Sequence, residues 1–312
     1  MKKFILNIAQ LGAFLFSHKQ LIRLSGKKLI LPFYHIVSDN NPTHIANLYP
    51  HKSISYFRND LDYLLKHFEP ISLKELIEIK KNNLPLRKNC FHLTFDDGLS
   101  EFYHVVAPIL LEKKIPATVF LNSNFIDNKA LFFRYKASIL ADELTADNVL
   151  DFSYHQENEL DELAKIFDIR WEDYLTTHQP YLTSVQIQEL INQGFTFGAH
   201  SKNHPLYSEL TLEEQLEQTL SSLEVISAQF KLDYNVFSFP FTDDKVKKSF
   251  FDAIANKIDL TFGSAGLKED SVKTNLQRIP METKFDAEVH IKTQYVAYLI
   301  KRLIGKWKIK RK

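Results

Sequence analysis

The chain has 312 residues, 45% hydrophobic and 25% charged, with a net charge of +1. That composition excludes a disordered or fibrous protein, and the near-zero charge gives no footing for a nucleic-acid partner. A single cysteine, Cys90, excludes an internal disulfide, and its apolar neighbours predict a buried thiol.

The near-zero total conceals an asymmetry. Residues 1–29 and 290–312 hold 14 of the 39 Lys and Arg and none of the 38 acids, so the middle carries 25 basic against 38 acidic residues, a net −13. In the first segment the apolar run from Phe4 to Phe16 is too short to span a bilayer and is broken by Asn7 and Gln10. The sequence FLFSHK is also a poor signal-peptide cleavage site.

Next comes a strand over 29–37, then helices over 55–68 and 72–82, the second opened by a Ser72/Glu75 capping box. Residues 90–95 and 117–122 read as strands. The helix between them, 104–114, contains Pro108, which either kinks it or marks its first turn. The segment 123–180 is too long for a plain connection and reads as a mostly helical insertion. Beyond it come helices over 183–194 and 211–230 and strands over 195–200, 236–241, 260–265 and 276–281. About seven strands alternating with helices predict an α/β fold with a mainly parallel sheet or barrel. The last segment, 290–312, spaces Ile291, Tyr295, Tyr298, Leu299, Leu303 and Trp307 as one helical face among Lys and Arg. It reads either as an interfacial helix on anionic lipid or as a terminal helix packed on the body.

In parallel α/β folds the functional face lies at the carboxyl ends of the strands. Asp96, Asp97, His200 and Pro240 fall there, with His35 close to the end of its own strand. TFDDG (94–98) alone is an ordinary turn, and the His200/His204 pair in GAHSKNH is common on helix surfaces. Together they offer two imidazoles and a carboxylate, a set that leaves positions open for water and substrate on a bound metal. One aspartate would bind the cation and the other would stay free beside the water.

These residues resemble two motifs of the polysaccharide deacetylases: TFDDG is similar to the first, and His200-Ser-Lys-Asn-His204 to the second. The resemblance covers roughly residues 30–285. It implies a distorted (β/α) barrel and a metal-dependent hydrolase removing N-acetyl, less often O-acetyl, groups from a glycan or glycolipid. By the same match Asp97, His200 and His204 would hold a divalent metal, usually Zn2+, and Asp96 would be the general base. The sequence departs from the family in two places. FSFPFTDD has Pro240 and Phe241 but lacks the usual arginine, and no histidine stands near RIPMETKF. A subgroup acting on poly-N-acetylglucosamine is more similar, because its first strand ends in Tyr-His, as Tyr34-His35 does here. The resemblance then implies His35 as the general acid, and Arg278 is the candidate to steady Asp96.

Tyr34, Pro240 and Phe241 are expected to flank the cleft, with His44 and His51 as further lining candidates and His92 packed within its strand. The domain plan is a basic N-terminal segment (1–29), a catalytic domain (30–289) and a basic C-terminal helix (290–312). Two other readings stand beside this one: a non-catalytic relative that binds glycan or protein, and a hydrolase of a small non-sugar amide. The basic ends favour the cytoplasmic membrane face, with a periplasmic or exported location as the alternative.

Overall fold

The computed structural model describes residues 2–145 and 147–312. Eight parallel strands form a nearly closed barrel, one more than the sequence suggests. They are β1 Pro32–Tyr34, β2 Leu93–Phe95, β3 Ala117–Leu121, β4 Thr196–Ala199, β5 Val236–Ser238, β6 Leu260–Gly263, β7 Asn275–Gln277 and β8 Ile279–Pro280. Their order around the sheet is β7-β6-β5-β4-β3-β2-β1-β8.

The extra strand arises because the run 276–281 serves two partners. β7 pairs with β6, while β8 pairs with β1. The exchange falls at Arg278: its amide donates to the Gly263 carbonyl (3.1 Å), and the next amide, of Ile279, donates to Leu31 (2.8 Å). One residue therefore bridges the two ends of the sheet. The strand expected over 29–37 is divided as well. Leu29–Ile30 pairs with Cys90–Phe91 in a separate three-stranded sheet below the barrel.

Helices coat the barrel through apolar faces. In α1 (Ile54–His67), Phe57, Leu61 and Leu64 are fully buried, and Ser53 caps the helix by accepting from the Tyr56 amide. Pro108 does mark a first turn. A π-helical turn over Phe102–Val106 leads into the regular helix Ala107–Lys113, with the Ala107 amide donating to Phe102 five residues back. Proline lacks the donor that an α-helical register would need there.

Residues 123–180 form the expected helical insertion, with helices Phe133–Leu144, Glu157–Ile166 and Trp171–His178. It has its own core, in which Phe132, Tyr135, Leu140 and Leu160 pack with Ile36, Ile45 and Leu99 from the barrel side.

The terminal segments are packed on the body. The helix Ala287–Leu303 starts on an Asp286 cap and buries Ile291, Tyr295 and Tyr298, three of the six residues whose spacing suggested a lipid-facing surface, while Leu303 stays exposed. That face covers the barrel and meets the N-terminal helix Lys2–Ala13, where Gly12 lies against Val296. Among the described residues no helix is long and apolar enough to cross a membrane.

Candidate active site

The site is built at the carboxyl ends of the strands. Asp96 and Asp97 follow β2, His200 follows β4, Ser238 ends β5, Arg278 follows β7 and His35 follows β1. The local backbone is bent to aim these groups. Asp97, Ser201, His204 and Phe241 all adopt the left-handed region, at φ of 69°, 70°, 58° and 55°. Such residues cost about 1–3 kcal/mol each and persist only where surrounding structure enforces them. Gly98 continues the turn at φ 66°, and a Cβ there would lie 2.7 Å from Leu121 Cδ2. The glycine of TFDDG is thus required by the turn that presents both acids.

Asp97, His200 and His204 are buried, and one ligand atom from each falls within 4.8 Å of the others. Asp97 Oδ1 lies 3.2 Å from His204 Nε2 and 3.5 Å from His200 Nε2. It has no hydrogen-bond partner, which is costly for a buried carboxylate oxygen. Its other oxygen accepts from the Tyr135 hydroxyl at 3.0 Å. His200 Nδ1 faces the Ser238 carbonyl at 2.8 Å, so this nitrogen carries the proton and Nε2 keeps its lone pair. An unpartnered carboxylate oxygen between two imidazole nitrogens, with Asp97 and His200 each supported from behind, is the donor set a divalent cation needs. Burial alone would raise the Asp97 carboxyl, but the neighbouring imidazoles of His204, His35 and His200 hold it well below the usual range. Burial pushes His200 down to about 4, keeping it neutral.

Asp96 is held by Arg278. The guanidinium donates from Nη1 to Oδ1 (2.8 Å) and from Nη2 to Oδ2 (2.7 Å). It also donates to Thr94 Oγ1 (3.0 Å), Ser238 Oγ (2.7 Å) and the Gly263 carbonyl (3.3 Å), and it lies 4.2 Å over the Phe33 ring. At 1% exposure it is among the most buried side chains of the protein. Burial would raise the Asp96 carboxyl, yet the Arg278 charge, with His200, brings it below its ordinary value. The FSFPF stretch that lacks an arginine thus contributes Ser238, whose carbonyl steadies His200 and whose hydroxyl accepts from Arg278.

His35 stands on a partner the sequence reading missed. Its Nδ1 lies 2.5 Å from Glu282 Oε2, and the amides of His35 and Ile36 donate to Glu282 Oε1 at 2.7 and 2.9 Å. Burial would lower the imidazole, but Glu282 outweighs it and raises it to about 9. Glu282 lies in RIPMETKF, and the pairing of β8 with β1 carries residue 282 alongside 35. Tyr135 was also missed. It lies in the insertion, where nothing in the pattern distinguishes it from other core aromatics.

Tyr34 does not flank the cleft. It is fully buried, its hydroxyl donates to Asp60 Oδ2 (3.0 Å), and its ring packs on Phe57 and Phe95. Successive strand residues face opposite ways, so with His35 toward the site Tyr34 must point into the helix layer. Phe241 is 44% exposed and sits 4.6 Å from the His204 ring, with Phe132 of the insertion at 4.3 Å. These two rings wall the site, and Pro240, next to Phe241, is buried. His44 is buried against Tyr135 and Tyr174. His51, by contrast, lines a surface cavity of about 570 Å³ together with Asn41, Asn47 and Tyr49. The Tyr49 ring lies 5.0 Å from that of His35. His92 is packed within its strand region, between the Ile71 carbonyl and Thr118.

A parallel barrel with a carboxylate aligned by arginine, beside a buried Asp–His–His group, defines a hydrolase of the deacetylase type. The polysaccharide deacetylase family profile matches residues 83–262, more than half of the sequence, and the chain belongs to that family. It is accordingly a hydrolase of the deacetylase kind. The match contains Asp96, Asp97, His200 and His204 but not His35, Arg278 or Glu282.

Three solved structures share the fold. The deacetylase PplD of Streptococcus pyogenes, solved with acetate, is 18% identical (TM-score 0.60, covering 85% of this chain and 97% of that one). IcaB from Ammonifex degensii is 16% identical (TM-score 0.57, 86% and 97%). A de-N-acetylase from Aggregatibacter actinomycetemcomitans is 15% identical (TM-score 0.58, 83% and 97%). No curated protein matches by sequence.

Proposed function

We propose that the protein removes the acetyl group from an N-acetylated saccharide, free or lipid-linked, with Asp96 as general base and His35 as general acid. The observation that carries the reading is the two-ended arrangement: Asp96 gripped by Arg278 on one side, His35 paired with Glu282 on the other. The arginine missing from FSFPFTDD favours a non-catalytic relative, whereas Arg278, bonded to both oxygens of Asp96, supports the catalytic reading.

Asp97, His200 and His204 would hold the metal, and their two-nitrogen, one-oxygen set suits Zn2+. A cation there supplies Lewis acidity to the acyl oxygen and acidifies water. Asp96 then accepts a proton from the attacking water. Arg278 fixes the direction of its carboxylate at some cost in basicity, since the same charge lowers its proton affinity. His35, held protonated by Glu282, delivers a proton to the departing amine. Phe132 and Phe241 shield the reacting carbonyl from bulk water, and the cavity beside Tyr49 offers room for a neighbouring sugar. Acetate release from chitooligosaccharides by metal-loaded protein tests the reading. Full activity in Asp96→Asn would refute it.

The substrate side extends to location. The N-terminal helix Lys2–Ala13 buries Ile5, Ala9 and Ala13, yet the opposite face exposes Ile8 (43%) and Leu11 (73%), with Leu15 (79%) just beyond. The first 29 residues contain six cations and no acid. An apolar ridge within a purely basic segment complements an anionic bilayer. We propose that the protein sits peripherally on such a surface, at the cytoplasmic face, through this helix. Flotation with phosphatidylglycerol vesicles should fall for Leu11→Asp/Leu15→Asp. Unchanged flotation would reject the docking surface, and processed protein in the periplasm would reject the location.

A further inference from the structure

We propose that Arg311, far from the reacting groups, is a positioning residue for the site: it braces the scaffold that holds Arg278 against Asp96. The inference rests on the deacetylase reading for its kinetic consequence, though not for its geometry.

The other basic residues of the tail, Lys306, Lys308, Lys310 and Lys312, are exposed, whereas the Arg311 side chain is 2% exposed. The chain delivers it by a short zipper. Lys308–Ile309 pairs in parallel with Glu269–Asp270, the Ser271 amide donates to Ile309 (2.9 Å), and the Arg311 amide donates to Ser271 Oγ (3.0 Å). The guanidinium then enters between two buried acids. Nη2 donates to Asp243 Oδ2 and to Asp270 Oδ2 (2.7 Å), and Nε donates to Asp270 Oδ2 (3.1 Å). Nη1 donates to the backbone carbonyls of Asp243 (2.5 Å) and Val246 (3.3 Å). Without this cation the two carboxylates would face each other in a space closed to water.

Asp243 transmits the restraint along two routes to one residue. Its Oδ2 accepts from Asn275 Nδ2 (2.8 Å) and Gln277 Nε2 (2.6 Å), both on β7, which leads directly into Arg278. Its carboxylate also fills the space over Gly263, where a Cβ would lie 2.3 Å from it. The Gly263 carbonyl accepts from both the amide and the Nε of Arg278. The same loop, 240–246, begins with Pro240 and Phe241 at the site wall. Arg311 thus fixes β7, Gly263 and the loop together, and these set where the Arg278 guanidinium points.

A misplacement of ~1 Å in an aligning group can cost about 10²-fold in rate. In full-length protein, Arg311→Gln should lower kcat for acetate release from chitooligosaccharides by about 10–100-fold with KM within about twofold. It should also speed hydrogen exchange at the Arg278 Nε–H, followed by nitrogen-15 NMR. Lys310→Gln should change neither. Arg311→Lys keeps a cation between the acids but not the planar fork, so it should fold and lose about 3–10-fold in kcat, again with faster Arg278 exchange. Wild-type kcat and exchange in either folded variant overturns the proposal. Should the wild-type protein release no acetate, the deacetylase reading falls while the exchange measurement still decides the role of Arg311.

Discussion

Replacing Arg278 by Lys is the most informative single change. The native guanidinium makes two charge-assisted bonds to Asp96 and three more to Thr94, Ser238 and Gly263. Lysine can reach the carboxylate as a point charge but cannot hold both oxygens, so one charge-assisted bond is lost and a hydroxyl acceptor is left bare. A bond of that kind is worth about 1.5–3 kcal/mol, and we expect the unfolding free energy to fall by about that amount. Arg278→Gln should cost more, about 3–5 kcal/mol, because a buried carboxylate then has no partner. Loss of alignment should lower kcat by about 10–100-fold in Arg278→Lys while KM stays close to wild type. The acid limb shifts predictably. Arg278 holds the Asp96 carboxyl below its ordinary value, so the pair stabilises the fold above the ordinary carboxylate range and that contribution fades as pH falls through the lowered value. Weakening the pair must move the acid limb of kcat/KM to higher pH. The assay is acetate release across pH 3–8, with urea unfolding in parallel. Arg278→Lys with wild-type kcat and an unmoved acid limb would refute the alignment argument.

Asp96→Asn should lose about 10²–10⁴-fold in kcat while metal analysis still finds about one ion per chain. His200→Ala should lose the ion itself, read by the same analysis. Tyr135→Phe frees Asp97 Oδ2 from its donor and should weaken metal affinity by about 10–100-fold in competition with a chelator, with little effect on stability. Glu282→Gln removes the charge that raises His35 to about 9, so the alkaline limb of kcat/KM should shift down toward the free imidazole value of about 6.5. In the native protein that same raised value makes the pair's stabilisation complete below about 6.5 and lost as pH rises through about 9.

The barrel and the Asp–His–His group were legible because each left a local trace: helix–strand alternation for the one, TFDDG and the His200/His204 spacing for the other. Arg278 was legible by elimination, as the arginine at the end of a late strand when the expected one was missing. Glu282 was hidden because it acts across the β1–β8 pairing, which no local pattern announces. Tyr34 was misplaced by treating a dipeptide as a unit when strand alternation sends its two side chains apart. Tail charge misled in the same way. Arg311 counts as one more cation in a basic segment, and only the fold reveals that Asp243 and Asp270 neutralise it.

The partner exchange at Arg278 also sets an order of assembly. Asp97, His200 and His204 are all made before β7, so a growing chain can gather this group on strands β2 to β4 early. Asp96 has no guanidinium until residue 278 emerges, and His35 waits for Glu282 across 247 residues of chain. Contacts of such long range form late, because the entropy of closing the intervening loop precedes any gain from them. A chain stalled before β7 would therefore hold the Asp–His–His group without Arg278 or Glu282, which arrive in the same step that shuts the barrel.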